Sequence, residues 1–442
     1  MKKKKILLIQ PSPYDQNHMP IKKNRLYFVG LAMPLLAAMM PEHYETEIIL
    51  EILEDIPFDT DADLIGISSM GHGVLRTIDI AQEFRKRGKT VILGGYMASI
   101  MAEEATKYCD AVVVGDAELV WKQLLIDFEN DCLKKIYEKN LDKGIFSTLL
   151  PRFDLIINKN IGDFLPVQAG RGCPNTCSFC SVACLYKGKY IKKPLDEVVR
   201  DIKQVKDLGF KKFLLLDDNI FSDRDYLGKL LKEIKNLNME WMSQCDIRIG
   251  KENELLKVLA DSGCTTLSFG LESISKESLT AMNKGWATPS NYPELIKNIQ
   301  SYGIDVSTEM VVGGEGDTLE SIKLTKNFIE YNKISVPRFY ILTPIPGTKF
   351  FEDIKNSKRL INENIYSFDG TEAVYKPKNM TPDELTNAYW DLYESLFTLK
   401  SIIKRNILRN EFLKKPSKYL FYCIVNLYYR YQIKRKITPN IF

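Results

Sequence analysis

The sequence predicts an α/β protein: a doubly wound domain over residues 1–141, a linker at 142–165, a partial barrel of β/α units over 166–360, and a helical C-terminal region at 361–442. Three observations carry this. Short apolar runs alternate with helical periodicity, the pattern of parallel strands joined by crossover helices. That alternation occurs twice, interrupted by a stretch without periodicity that ends near Pro166. And 442 residues exceed what one ordinary core holds, so more than one domain is expected.

Composition narrows the class. Hydrophobic residues make up 45% and charged residues 27%, the balance of a globular protein. No apolar run approaches the ~20 residues of a membrane helix. The start, MKKKKILLIQ, reads as a first β-strand and not as a secretory signal. Nine cysteines, an odd number without regular spacing, point to a reducing cytoplasm and away from disulfides. The net charge of +4 is uneven: from Lys400 to Phe442 there are eleven Lys/Arg against the single acid Glu411, leaving about −6 for the rest. The basic character belongs to the tail.

In the first domain, Lys5–Gln10 reads as a strand ending at Pro11, Val29–Met40 as a helix, and Tyr44–Leu50 and Leu64–Ser68 as strands. Thr77–Arg87 is an amphipathic helix closed by Gly88 and followed by the strand Thr90–Leu93 with Gly94-Gly95. A helix near Ile100–Lys107, the strand Ala111–Val114 and a helix near Glu118–Phe128 complete the set. Ligands of such sheets bind beyond the carboxyl ends of the strands. Here those ends lead into Pro11–His18, Ser69–Gly73, Gly94–Ala98 and Gly115–Glu118. Glycines there are, by themselves, only the tight turns of any α/β fold.

The second alternation starts at Arg171-Gly172-Cys173-Pro174-Asn175-Thr176-Cys177-Ser178-Phe179-Cys180. Thiolates at such short spacing let one loop wrap an iron–sulfur cluster. Three thiolates for a cubane of four irons leave one iron open to a substrate or cofactor. The other reading is a zinc knuckle with Cys184 as fourth ligand. Strands then end at Asp217-Asp218-Asn219, at Asp246-Ile247-Arg248, at Gly270-Leu271-Glu272-Ser273 and at Gly313-Gly314-Glu315-Gly316-Asp317, with helices between them. About six β/α units follow the loop, fewer than the eight of a closed barrel.

Taken in order, the cysteine loop, LLLDDNIF, CDIRI, LSFGLES, MNKG, EMVVGGEGDT and LTPIPGT, over about residues 165–350, resemble the radical S-adenosylmethionine superfamily in its branch with an N-terminal cobalamin-binding domain. DLIGISSM, VILGGYMAS and VVVGDAE are similar to that Rossmann-like domain. Two positions depart from it: Met97 stands where a histidine is usual, and Asp116 where glutamate is. The Asp-x-His-x-x-Gly loop of histidine-ligating cobalamin proteins is absent.

The resemblance implies that Cys173, Cys177 and Cys180 ligate a 4Fe-4S cluster whose fourth iron is chelated by S-adenosylmethionine, cleaved reductively to a 5′-deoxyadenosyl radical. It implies S-adenosylmethionine contacts at Asp217, Asp218, Arg248, Glu272, Gly313 and Gly314, and cobalamin contacts at Ser69, Gly94, Gly95, Gly115 and Glu118. Of the consecutive Asp217, Asp218 and Asn219, not all are expected to face the site. A structural ion pair is the other reading of Arg248; a charge partner for the following helix is that of Glu272; a plain turn is that of the glycines. With cobalamin, the implied reaction is C-methylation of a small or lipid-like metabolite, with an electron donor such as flavodoxin or ferredoxin. Non-methylating rearrangement, cyclisation or oxidation is the alternative, and a non-catalytic cobalamin- or cluster-binding protein is the rival of another class.

Near the end, Thr381-Pro382-Asp383-Glu384 has the form of a helix start, with an N-cap, a proline at the first position and an acid three residues on. Beyond Lys400, basic residues interleave with aromatics. A lid helix packed on the barrel and a helix on a membrane surface are both open readings. Nucleic acid is not expected, since no recognised binding fold accompanies the charge.

Overall fold

The computed structural model describes residues 3–15, 17–69, 71–138, 149–362, 364 and 368–439. Met70 of DLIGISSM and residues 142–148 of the expected linker lie outside these. The chain divides into two compact units, one up to Pro166 and one from Val167 onward.

The first unit contains β1 (Lys4–Gln10), β2 (Leu26–Phe28), β3 (Tyr44–Leu50), β4 (Leu64–Ser69), β5 (Thr90–Gly95), β6 (Ala111–Val113) and β7 (Ile136–Tyr137). Its main sheet is parallel throughout, in the order β3-β1-β4-β5-β6-β7. Ile6, Leu7, Leu8 and Ile9 are buried, as a strand covered on both faces requires. The order reverses between β1 and β4, which makes that crevice the natural ligand position.

Three expectations shift. The helix expected over Val29–Met40 is shorter, Ala32–Ala38. Pro34 is tolerated in its first turn, but Pro41 disfavours helical backbone just before it. The helix near Ile100–Lys107 is two short ones, Tyr96–Ile100 and Ala102–Ala105, because Met101 leaves helical geometry at φ −133°. And the stretch before Pro166 holds a strand, β8 (Ile161–Gln168), parallel to β2. Pro166, which lacks a backbone donor, hid it from the sequence pattern.

In the second unit, β9 (Gly170–Gly172) and β10 (Tyr190–Lys192) form an antiparallel pair that brackets the cysteine loop and the helix Ser181–Tyr186. Then come β11 (Lys212–Leu216), β12 (Glu240–Cys245), β13 (Cys264–Glu272), β14 (Asp305–Val312) and β15 (Val336–Ile341), parallel neighbours in that order. Five strands of this sheet follow the loop, and the end of β8, which precedes the loop and lies beside β11, adds a sixth; the Ala169 amide donates to Leu216 O at 3.1 Å. The sheet is an open half-barrel. Pro337 sits in β15, an edge strand that can spare a donor. Helices cover the outside; Leu195–Asp207, for example, buries Val198, Ile202 and Val205 along one side.

Thr381 caps the helix Pro382–Leu396 in the expected box: its hydroxyl accepts from the Glu384 amide (3.2 Å), and the Glu384 carboxylate accepts from the Thr381 amide (2.8 Å). The last helix, Pro416–Lys434, packs through Tyr419, Asn426, Tyr429, Gln432 and Ile433. Among the described residues no helix is long and apolar enough to cross a membrane.

Candidate active site

The cysteine loop is clamped from several sides. At its start, Gly172 has φ +83°, and a Cβ there would lie 2.2 Å from Lys189 O, so only glycine fits between β9 and β10. The Gly172 amide donates to Asp218 Oδ2 (2.7 Å). At its middle, Asn283 Nδ2 donates to Thr176 O (2.7 Å) and Oγ1 (2.9 Å), and the Ser178 amide donates to Met282 O (2.9 Å). At its end, the Phe350 amide donates to Ser178 O (2.8 Å). Phe179, the aromatic before the third cysteine, packs on Met282, Leu342, Phe350, Ile354 and Tyr375.

All three residues after β11 bond to this loop or its stem. Asp217 Oδ2 accepts from Tyr190 OH (2.7 Å), Asp218 takes the Gly172 amide, and Asn219 Nδ2 approaches Cys173 Sγ (3.9 Å). Strand alternation has already ended at Leu216, and Asp217 Oδ1 folds the turn by accepting from the Asn219 amide (2.9 Å). Asn219 Oδ1 accepts from the amides of Phe221 (3.2 Å) and Asp246 (3.0 Å), which ties the ends of β11 and β12 together. Burial pushes the Asp217 carboxyl up to about 7, against the hydrogen bond from Tyr190. Burial also raises the three thiols, Cys177 to about 12.

Arg248 is held in a bidentate pair with Asp246, Nε to Oδ1 at 3.0 Å and Nη2 to Oδ2 at 2.6 Å, and its guanidinium lies 4.0 Å from the Trp286 ring centroid. The ion-pair reading of this arginine is therefore present in the structure. Glu272 ends β13 at a register shift, with φ +62°, a conformation costly for a non-glycine residue. Its Oε1 accepts from Lys284 Nζ (2.8 Å), and both side chains are buried. Burial works against the Lys284 ammonium, but Glu272 outweighs it and the pKa is raised. The following helix, Lys276–Ala281, is capped by the Ser275 hydroxyl, while the direct partner of the Glu272 carboxylate is Lys284.

The glycine loop after β14 wraps a carboxylate. The amides of Gly313 (3.0 Å) and Gly314 (2.9 Å) donate to Asp317 Oδ2, while Ser273 (3.2 Å) and Ser278 (2.8 Å) hydroxyls donate to Oδ1. A Cβ on Gly313 would meet Leu385 at 2.6 Å, and one on Gly314 would meet Ser278 at 2.7 Å. Both amides are thus used within the protein.

In the first unit, Ser69 and Gly95 are register partners at the ends of β4 and β5. Ser69 Oγ accepts from Thr77 Oγ1 (2.7 Å). Gly95 has φ +86°, and a Cβ there would lie 2.5 Å from Ser68 Oγ; one on Gly94 would meet nothing within 4 Å. The Gly115 amide, just past β6, donates to Ser99 Oγ (3.0 Å), and Glu118 lies in the turn Ala117–Leu119 that follows. Ser69, Gly94, Gly95 and Gly115 therefore share the carboxyl edge of one sheet.

Sequence reasoning passed over Lys284, Asn283, Asp246, Trp286 and Asp317. Each stood in or beside a quoted stretch (MNKG, CDIRI, EMVVGGEGDT), but pairing partners far apart in sequence carry no local signal. Three thiols on one short loop are the donor set of a cluster, and Cys184, the fourth ligand a zinc knuckle would need, instead donates to Gly347 O (3.1 Å).

Residues 167–329 match the Radical SAM superfamily. Over 95% of this chain and 96% of the relative, the sequence is 28% identical to bacteriochlorophyllide d C-12(1)-methyltransferase of Chlorobaculum tepidum. The fold is similar to that of the cobalamin-dependent S-adenosylmethionine radical enzyme OxsB, solved with aqua-cobalamin and S-adenosylmethionine bound (TM-score 0.65, 13% identity, 96% of this chain and 72% of that one). It is also similar to the radical S-adenosylmethionine methyltransferase TsrM from Kitasatospora setae, solved with cobalamin and a [4Fe-4S] cluster (TM-score 0.62, 17% identity, 81% and 78%). The clamped cysteine loop and the half-barrel that carries it are a domain of the radical SAM superfamily.

Proposed function

We propose that this chain is an enzyme that reductively cleaves S-adenosylmethionine at a 4Fe-4S cluster and carries out cobalamin-assisted C-methylation of a small or lipid-like metabolite. The observation that carries the reading is the cysteine loop, fixed by Asp218, Asn219, Asn283 and Phe350 at the carboxyl ends of the half-barrel strands. When bound, the cluster and S-adenosylmethionine supply a carbon-centred radical that no side chain provides.

The chain's own groups then hold and orient. Cys173, Cys177 and Cys180 offer the thiolates, and metal ligation removes the protons that burial otherwise keeps on them. Glu272, in its rigid left-handed turn, offers a carboxylate to the ammonium or ribose hydroxyls of S-adenosylmethionine. Arg248, about half-exposed, offers its guanidinium to the methionine carboxylate while Asp246 fixes its plane. Asp217 and Asp218 support the loop stem from below. Gly313 and Gly314 would meet an adenine by packing alone, since their amides serve Asp317 and their carbonyls accept from Tyr375 OH and from the Asp317 amide (2.9 Å).

In the first unit, the space over Gly94 and the Cβ-free turn at Gly95 suit a flat macrocycle, with Ser69, Gly115 and Glu118 along the same edge. The name of the bacteriochlorophyllide relative supports methyl transfer as the reaction. A cytoplasmic setting, with flavodoxin or ferredoxin as electron donor, supplies the reducing conditions. The basic C-terminal segment adds a contact with a membrane surface.

The test is anaerobic reconstitution followed by dithionite and S-adenosylmethionine. Release of 5′-deoxyadenosine supports the reading, and an intact cluster that releases none overturns it. Protein purified after growth with cobalamin should carry a corrin; without one, methylation fails as the mechanism.

A further inference from the structure

The helix Pro416–Lys434 is inverted for a surface helix. Its inner face buries Asn426 and Gln432 among tyrosines, while its outer face shows Leu420, Phe421, Ile424, Leu427, Tyr428 and Tyr431, between 37% and 64% exposed. At 3.6 residues per turn these six positions fall within about a third of the circumference, so they form one stripe. A contiguous apolar stripe on a protein surface marks an interaction face.

The helix cannot roll to hide it. Asn426 Oδ1 accepts from the buried Arg405 Nη2 (2.8 Å), and Asn426 Nδ2 donates to Ser335 O (3.0 Å). One and two turns earlier, Tyr422 (3.3 Å) and Tyr419 (3.2 Å) donate to the carboxylate of Asp305. These directional bonds fix which side faces out.

The ends of the stripe are cationic. Lys414 and Lys415 are exposed just before the helix, and Lys434 and Arg435 at its end. Glu411, the only acid beyond Lys400, is paired with Arg409 at 3.1 Å. We propose that this face docks the protein on an anionic lipid surface, the stripe entering the headgroup–acyl boundary while the four cations meet headgroup phosphates. A second copy would set the same cations against each other in a symmetric contact; an anionic bilayer neutralises them. The inference deepens the membrane contact suggested above and is independent of the radical chemistry, because vesicle binding needs no turnover.

The test is co-sedimentation of the purified full chain with phosphatidylglycerol/phosphatidylcholine vesicles and with phosphatidylcholine alone, in about 0.1 M salt. Capture on the anionic vesicles only is expected. Replacing Ile424→Gln and Leu427→Gln should lower the partition by about tenfold or more. The unfolding midpoint should move little, because Ile424 is 64% and Leu427 45% exposed. Lys414→Gln with Lys415→Gln should weaken capture and flatten its salt dependence. The proposal is overturned by absence of capture, or by capture that survives the Ile424/Leu427 change. A dimer in light scattering that this change dissolves, without vesicle capture, overturns it in favour of a second copy.

Discussion

Lys284 and Glu272 are joined at 2.8 Å inside the protein, and Glu272 makes that bond from a left-handed backbone at the end of β13. Lys284 also donates to Gly270 O (2.5 Å) and lies 5.4 Å from the Trp286 ring centroid. One ammonium thus fixes the strand bulge and the carboxylate together. Lys284→Met should destabilise the second unit by about 3–5 kcal/mol, since it strands a buried charge. The double change with Glu272→Gln should recover much of that loss, a coupling that denaturant midpoints of the four proteins would reveal. Glu272→Gln alone should weaken S-adenosylmethionine binding in a titration.

Cys177→Ala should abolish both the ~400 nm cluster absorbance and the release of 5′-deoxyadenosine. Asn219→Ala separates support from ligation. It keeps every thiol but leaves the Phe221 and Asp246 amides without their acceptor. A stability loss of about 1–3 kcal/mol is expected, with a cluster that still forms and decays faster. If the cluster never forms, Asn219 is doing more than bracing the loop.

Gly172→Ala tests the loop stem. A methyl group would overlap Lys189 O at 2.2 Å in a backbone region that disfavours side chains. The expected cost exceeds about 1 kcal/mol, with reduced iron content after reconstitution. Gly209→Ala is the control: it shares a positive φ, of +88°, but its Cβ would meet nothing within 4 Å. Its unfolding shift should be smaller and its iron content normal.

An acid-side test concerns the helix Leu319–Tyr331, where burial raises Glu330 but Lys404 (2.8 Å) and Lys326 (3.0 Å) outweigh it and hold the carboxyl at about 2. Because the folded pKa lies below the ordinary 4.5, these pairs stabilise fully above pH 4.5 and lose effect as pH falls towards 2. Lys404→Met should therefore cost about 0.2–1 kcal/mol near pH 7. The difference from the native chain should shrink steadily below pH 4.5. A constant difference across that range would refute the assignment.

Much of the fold was legible because each strand carried its own signal: ILLI in β1, VIL in β5 and FLLL in β11 are apolar runs that need no partner to be read. The thiols were legible for the same reason, being close in sequence. What was not legible depended on distance along the chain. Nothing near Lys284 announces Glu272, and nothing near Asn219 announces Cys173. The partners of Asp217, Asp218 and Asn219 were not legible either, because the turn after Leu216 sends them to Tyr190, Gly172 and Cys173. β8 was lost to Pro166, and the last helix was read for its charges while its exposed face required the burial pattern.

The anchors of the cysteine loop lie far downstream: Asp218 is 46 residues from Gly172, Asn283 is 107 from Thr176, and Phe350 closes on Ser178. During synthesis the thiols therefore emerge well before the frame that holds them. A nascent chain halted short of Phe350 has all three thiols but lacks the bond that closes on Ser178. The loop therefore reaches its full set of anchors only when the chain has been made as far as Phe350.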